Sequence, residues 1–140
     1  MQISLLQCQS SRDVQANLAY IDTQLKQLPR HTHQAQMVVL PECSLLFGGH
    51  ESQQLQYAGT NDEGELKQAL ATLAKRYQVY MVAGTIPMRA DDHRVYSRSY
   101  VFSDTGKTIG SYDKLHLFDV DVADGTKNYR ESDTFHPGSR

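Results

Sequence analysis

Two charged side chains lie where a buried strand gives way to a loop, which is where an α/β sheet does chemistry. Glu42 follows the apolar run at positions 37–40 and the strand-breaking Pro41. Ligand crevices form at the carboxyl ends of such strands, so a carboxylate there is a candidate general acid or base. Taken alone, the residue reads at least as well as a solvent-facing loop glutamate. Lys114 lies between an apolar strand and an acidic loop, in Tyr112-Asp113-Lys114-Leu115-His116-Leu117-Phe118-Asp119. An ammonium held among Tyr, Leu and Phe has few waters and can stabilise a developing oxyanion. The competing reading is a surface lysine. His116 shares the face of Lys114 if the strand continues, either as an orienting group or as an ordinary half-buried histidine.

The cysteines offer no obvious nucleophile. Cys43 adjoins Glu42, but neighbours on an extended backbone point to opposite sides and do not form a base–nucleophile pair. Cys8 falls within the first expected strand and reads as a small buried hydrophobe. Two cysteines are too few for a disulfide scaffold, no C-x-x-C pair occurs, and reduced thiols in a cytoplasm fit best. The histidines are scattered; the closest pair, His31 and His33, sits in a polar stretch after Pro29, and no metal site is expected.

The elements that must hold these groups follow from apolar periodicity. Positions 3–8 read as a strand, and Ser10, Ser11 and Asp13 offer capping oxygens for a helix. Val14, Leu18, Ile21, Leu25 and Leu28 recur at helical spacing and stop at Pro29. Positions 37–40 form a short β-branched run, a strand buried on both faces. A loop containing Gly48, Gly49 and Gly59 precedes a second helical pattern, Leu66, Ala69, Leu70, Leu73, Ala74 and Tyr77. Strands are expected at 79–84, 96–102 and 108–112, separated by polar turns. The order β-α-β-α-β followed by hairpins implies a layered α/β fold whose later strands are antiparallel or mixed. Beyond Leu117 the pattern weakens.

Composition bounds the function. The chain of 140 residues has room for one domain, and its 39% hydrophobic and 21% charged content is that of a globular protein. A formal charge of −2 with no basic stripe argues against nucleic acid as a partner. The apolar runs are short and the N-terminus has no cationic head with a long apolar stretch, so neither a membrane span nor a secretion signal is expected.

Val38-Val39-Leu40-Pro41-Glu42, followed seventy-two positions later by Lys114 in its Tyr-Asp-Lys-Leu-His-Leu-Phe-Asp context, resembles the nitrilase (carbon-nitrogen hydrolase) superfamily. The resemblance is strongest to the ω-amidase and deaminated-glutathione-amidase branches. It extends through Gly84-Thr85-Ile86-Pro87, Tyr96-Ser97-Arg98-Ser99, Tyr129-Arg130-Glu131-Ser132 and Phe135-His136-Pro137-Gly138, which fall in the family's order. It implies an αββα sandwich and a Glu-Lys-Cys triad, with Glu42 matching the general base and Lys114 the lysine beside the oxyanion. Glu131 matches a second, orienting glutamate.

In that mechanism Glu42 takes a thiol proton, the thiolate attacks an amide carbonyl, and Lys114 stabilises the tetrahedral oxyanion. No cofactor is needed. In the family the cysteine lies after the Pro-Gly segment, so residues 1–140 are read as the N-terminal part of one hydrolase domain that hydrolyses a small linear carboxamide, a part expected to be inactive alone. Phe47, with Gly48 and Gly49, is expected near the pocket mouth. The alternative is a non-catalytic half-sandwich associating with itself or a partner through an uncovered apolar face; homo-oligomers are expected either way.

Overall fold

The computed structural model describes residues 1–30, 33–48, 52–121 and 128–139. Two helices cover one face of a six-stranded mixed sheet. The strands are β1 (Gln2–Leu5), β2 (Gln36–Val39), β3 (Tyr80–Val82), β4 (Ile86–Arg89), β5 (Val95–Phe102) and β6 (Thr108–Asp113). β1, β2 and β3 run parallel, joined by α1 (Val14–Gln27) and by α2 (Ser52–Tyr57) with α3 (Glu65–Tyr77). β5 then pairs antiparallel with β3 and β4 along one edge and with β6 along the other.

Each helix forms where the sequence supplies both a cap and a stripe. Asp13 accepts the Ala16 N–H at 3.0 Å to open α1, and Val14, Asn17, Ile21 and Leu25 make its buried face. The residue before Pro29 is driven to extended backbone, which ends the helix at Leu28. α3 buries Leu66, Leu70, Leu73, Ala74 and Tyr77. These side chains meet Val38, Met81, Tyr100 and Phe102 in one continuous core. The partners Ser4, Val38 and Met81 face the helices, so Ile3, Met37 and Tyr80, like Leu5, Val39, Val82 and Val101, lie on the opposite face. There Ile3 is 60% and Leu5 78% exposed.

Several elements escaped the periodicity. β1 stops at Leu5, short of Cys8; α2 lies inside the stretch expected to be loop. β4 contains Pro87, which a ladder accepts only where its missing N–H is not needed. A small hairpin of β7 (Asp119–Asp121) and β8 (Asn128–Arg130) is followed by a 3-10 turn (Glu131–Asp133). The last described stretch runs along β5: Val95 N–H donates to the Thr134 carbonyl and His136 N–H to that of Val95. Phe135 thereby forms an isolated bridge with Val95, and Arg140 lies outside the described residues. His31 and His50, and Gly49 of the expected pocket mouth, also lie outside them.

The turn from β2 to Glu42 is pinned against the turn after β3. Leu40 N–H donates to the Val82 carbonyl at 2.9 Å. Gly84, at φ +59°, passes so close that an added Cβ would stand 1.9 Å from the Pro41 carbonyl oxygen. Glycine is required there for both reasons. Gly84→Ala is expected to cost roughly 3 kcal/mol, at the high end for a single substitution. Urea unfolding checks this, and an unchanged midpoint would mean that the two turns are free to separate.

Candidate active site

Strand ends from different parts of the chain bring three charged groups together. Glu42 arrives on the turn after β2, Lys114 one residue beyond β6, and Glu131 on the 3-10 turn after β8. Lys114 Nζ donates to Glu42 Oε1 at 2.9 Å and lies 3.1 and 2.9 Å from the two carboxylate oxygens of Glu131. Glu131 is oriented by a second donor, the Phe118 N–H at 2.8 Å from Oε2. Its own N–H donates to the Phe118 carbonyl, so backbone and side chain are both fixed. Glu42 is the open member, its side chain 55% exposed, against 26% for Lys114 and 15% for Glu131.

Burial works against the Lys114 charge, but the hydrogen bonds to Glu131 and Glu42 and the field of both carboxylates outweigh it. The ammonium is held above the usual lysine value. The cluster therefore presents a permanent positive charge beside a carboxylate open to solvent, the pairing needed to stabilise an oxyanion and move a proton next to it.

The main chain of Lys114 is fixed on both hydrogen-bonding edges. Its N–H donates to the Ser97 carbonyl at 3.0 Å, and its carbonyl accepts from the Gly138 N–H at 2.9 Å. The loop after Glu42 is latched from α1: Asn17, buried in the helix face, donates to the carbonyls of Leu45 and Ser11 at 2.8 Å each. Ser10 Oγ donates to the Ser44 carbonyl and Phe47 N–H to that of Ser11. Nothing in the sequence singled out Asn17; the only signal was a polar residue at a helix position one turn from Val14 and Ile21.

Two expected participants stand apart. His116 was placed on the Lys114 face on the premise of a continuing strand, but β6 ends at Asp113 and the chain bends, leaving His116 exposed. Phe47 sits on the latched loop, 62% exposed, and makes none of the polar contacts that join the three charges. Cys43 also departs from its premise. The backbone there is not extended but left-handed, at φ +53° in a turn, a strained setting of the kind that aims neighbouring groups. Its N–H donates to Thr85 Oγ1 at 3.0 Å and its thiol lies 3.8 Å from the same oxygen.

Burial pushes the Cys43 thiol up from its ordinary value, and the carboxylates of Glu42 and Glu131 push the same way; Thr85 and Lys114 only partly offset them. A thiol so shifted is a poor nucleophile at neutral pH. Cys8 has its thiol 3.9 Å from Ser10 Oγ. Among the described residues no helix is long and apolar enough to cross a membrane.

The profile of the carbon-nitrogen hydrolase family matches residues 2–140. A deaminated glutathione amidase of Yersinia enterocolitica is 38% identical over 138 residues, covering 97% of this chain and 47% of that protein. The omega-amidase NIT3 of Saccharomyces cerevisiae is 31% identical over 134 residues, covering 94% and 46%. The crystal structure of that yeast Nit3, a member of branch 10 of the nitrilase superfamily, superposes with a TM-score of 0.76 at 29% identity, covering 99% of this chain and 48% of that one. The Caenorhabditis elegans NitFhit protein gives a TM-score of 0.78 at 21% identity over 98% of this chain, a likeness of fold. The chain thus spans just under half the length of these two amidases.

The shifted thiol can be tested directly. In a Cys8→Ala background, alkylation of Cys43 by iodoacetamide at neutral pH should run slower than that of a free thiol, with its rate rising only above the ordinary cysteine range. Thr85→Val should push that rise to still higher pH. A rate at or above that of free cysteine would restore Cys43 as a candidate nucleophile.

Proposed function

Because the chain belongs to the carbon-nitrogen hydrolase family, we propose that it carries the acid–base and oxyanion part of an amidase for a small linear carboxamide. The observation that supports this most is the 2.9 Å contact between Lys114 and Glu42, residues seventy-two positions apart. Surface ion pairs contribute little to stability, so stability gives weak reason for this one to be assembled from separate strand ends.

In this reading the nucleophile is a cysteine outside residues 1–140, since Cys43 is held as a thiol and Cys8 is not joined to the cluster. Glu42 takes the thiol proton, and the thiolate sulfur bonds to the amide carbon. The carbonyl electron pair moves to oxygen, where the Lys114 ammonium stabilises it. Collapse breaks the C–N bond, and Glu42 returns its proton to the leaving nitrogen, releasing ammonia. Glu42 then removes a proton from water as it attacks the thioester, and passes that proton to the departing sulfur as the free acid leaves. Glu131 keeps Lys114 charged and aimed. The chemistry runs on side chains alone and needs no cofactor.

Small ω-amides and deaminated glutathione are the substrates to try first, by likeness to the two amidases described above. Residues 1–140 alone should release no ammonia from either. A protein completed with a C-terminal half that supplies the cysteine should release it, and Glu42→Gln or Lys114→Ala should each lower that rate by roughly a hundredfold or more with the fold intact. Turnover by residues 1–140 that survives Cys8→Ala with Cys43→Ala, or undiminished rates in either site variant, would remove the reading.

A second reading, self-association, is favoured by the sheet face away from the helices, which exposes Ile3 and Leu5 on β1 and Tyr112 on β6 at either side of the half-buried Val39, Val82 and Val101. Such a face gains by being covered. Sedimentation of residues 1–140 should give dimers or larger species, and Ile3→Lys with Leu5→Lys should shift them toward monomer. A monomer at all concentrations would count against it.

A further inference from the structure

Lysine is a point charge on a flexible four-carbon stem, so two carboxylates fix its ammonium only if its backbone is fixed first. The residue before it does this from the other side of the sheet. Asp113 and Arg98 are direct cross-strand partners on β6 and β5. Arg98 Nε and Nη2 donate to Asp113 Oδ1 and Oδ2 at 2.6 and 2.8 Å, a bidentate fork with both side chains about one-fifth exposed. Fork geometry adds direction as well as energy, which a single-point ion pair does not.

The clamp has a footing in the helical layer. Arg98 Nη1 also lies 3.4 Å from Asp62 Oδ1, which accepts the Tyr100 hydroxyl at 2.5 Å. Lys67 of α3 donates to the other oxygen of Asp62 at 2.7 Å and stands over the Tyr100 ring. On its far flank Asp113 is backed by Gly138, where an added Cβ would stand 2.6 Å from the Asp113 carbonyl oxygen. Asp113 is also the acid closest to Lys114 in the chain. Left unpaired it would compete with Glu42 and Glu131 for the ammonium; held in the Arg98 fork it is neutralised on the opposite face.

We propose that Arg98 and Asp113 are positioning residues for Lys114: they set its backbone at the end of β6 and keep the adjacent acid from drawing its charge away from Glu42 and Glu131. What that charge is for rests on the amidase reading; where it sits does not.

Side-chain NMR of lysines in the 140-residue chain, with Lys114→Arg assigning the signal, reads the positioning without any turnover. In the parent chain Lys114 should lose its proton above the ordinary lysine range. Asp113→Asn should lower it toward that range while the β5–β6 amide signals hold. In Arg98→Gln the freed Asp113 carboxylate keeps the ammonium charged, and there the expected change is loss of the Lys114 Nζ contacts to Glu42 and Glu131, read from the ammonium proton signals. The exchanged pair, Arg98→Asp with Asp113→Arg, should restore the raised titration. A titration that stays fully raised in Asp113→Asn, or ammonium contacts to Glu42 and Glu131 that persist in Arg98→Gln, overturns the proposal. If a single variant does not fold, the exchanged pair decides: folded with Lys114 raised supports the clamp, whereas folded with Lys114 at its ordinary value, or unfolded, overturns it. Failure here leaves the amidase reading standing, and an inactive extended enzyme with Lys114 still raised would sink that reading without touching the clamp.

Discussion

The site depends on one ammonium shared by two carboxylates. A single partner would leave Lys114 as an ordinary ion pair with a swinging stem. Two partners on different elements, one of them fixed by the Phe118 N–H, restrict it to a small region. The division of exposure follows the same logic. Glu131 is the more buried carboxylate and is doubly held, suited to holding a charge in place. Glu42 is the open one and can exchange a proton with something in front of it. The two glutamates therefore differ in exposure and in how firmly they are held, although each sits within hydrogen-bond distance of the same nitrogen.

That interaction draws on the whole sheet because of a simple property of strands. Successive residues face opposite sides, so Asp113, the last residue of β6, pairs with Arg98 of β5 on the side of Tyr100, while Lys114 leaves the strand with its N–H held by the Ser97 carbonyl. The helices act through the same architecture. Asn17, buried among Val14 and Ile21, ties the loop after Glu42 to the loop after β1. Gly84 lets the turn after β3 touch the Pro41 carbonyl. A buried amide bonded to two carbonyls and a glycine at positive φ are costly to misplace, since an unmade hydrogen bond or a Cβ clash cannot be solvated away. The position of Glu42 is thus set by packing rather than by its own contacts.

This also explains what could be read from the chain and what could not. The helices and the central strands were legible because burial on one face imposes a period, as in Val14, Ile21 and Leu25 or in the run at 37–40. Glu42 and Lys114 were legible by their place at strand ends and, with Glu131, by family resemblance. The clamp was not. Arg98 and Asp113 lie fifteen positions apart and become neighbours only once the β5–β6 register is fixed, and that register contains a shift between Val101 and Phe102. The side of His116 was left conditional for a related reason: it depended on where β6 stops, which no local pattern marks. Cys43 was judged from extended backbone that a left-handed turn replaces, yet burial leads to the same chemical conclusion by another route.

The exposed half of the site bears on how strong its electrostatics can be. Glu42, more than half exposed, follows β2, whose Val39 lies beside Leu5 and Val82 on the sheet face away from the helices. With that face in water, the attraction between Lys114 and any anion in front of it is screened, because the same charges interact several times more weakly at high dielectric than in a protein interior. Covering the apolar stripe would remove water from around Glu42 and Lys114 in the same step that buries Leu5 and Val82. The hydrophobic gain of closing the face and the electrostatic gain at the site are therefore coupled. A charged cluster placed at the margin of an apolar surface stays soluble while open and becomes effective when closed, which a cluster on a polar loop would not.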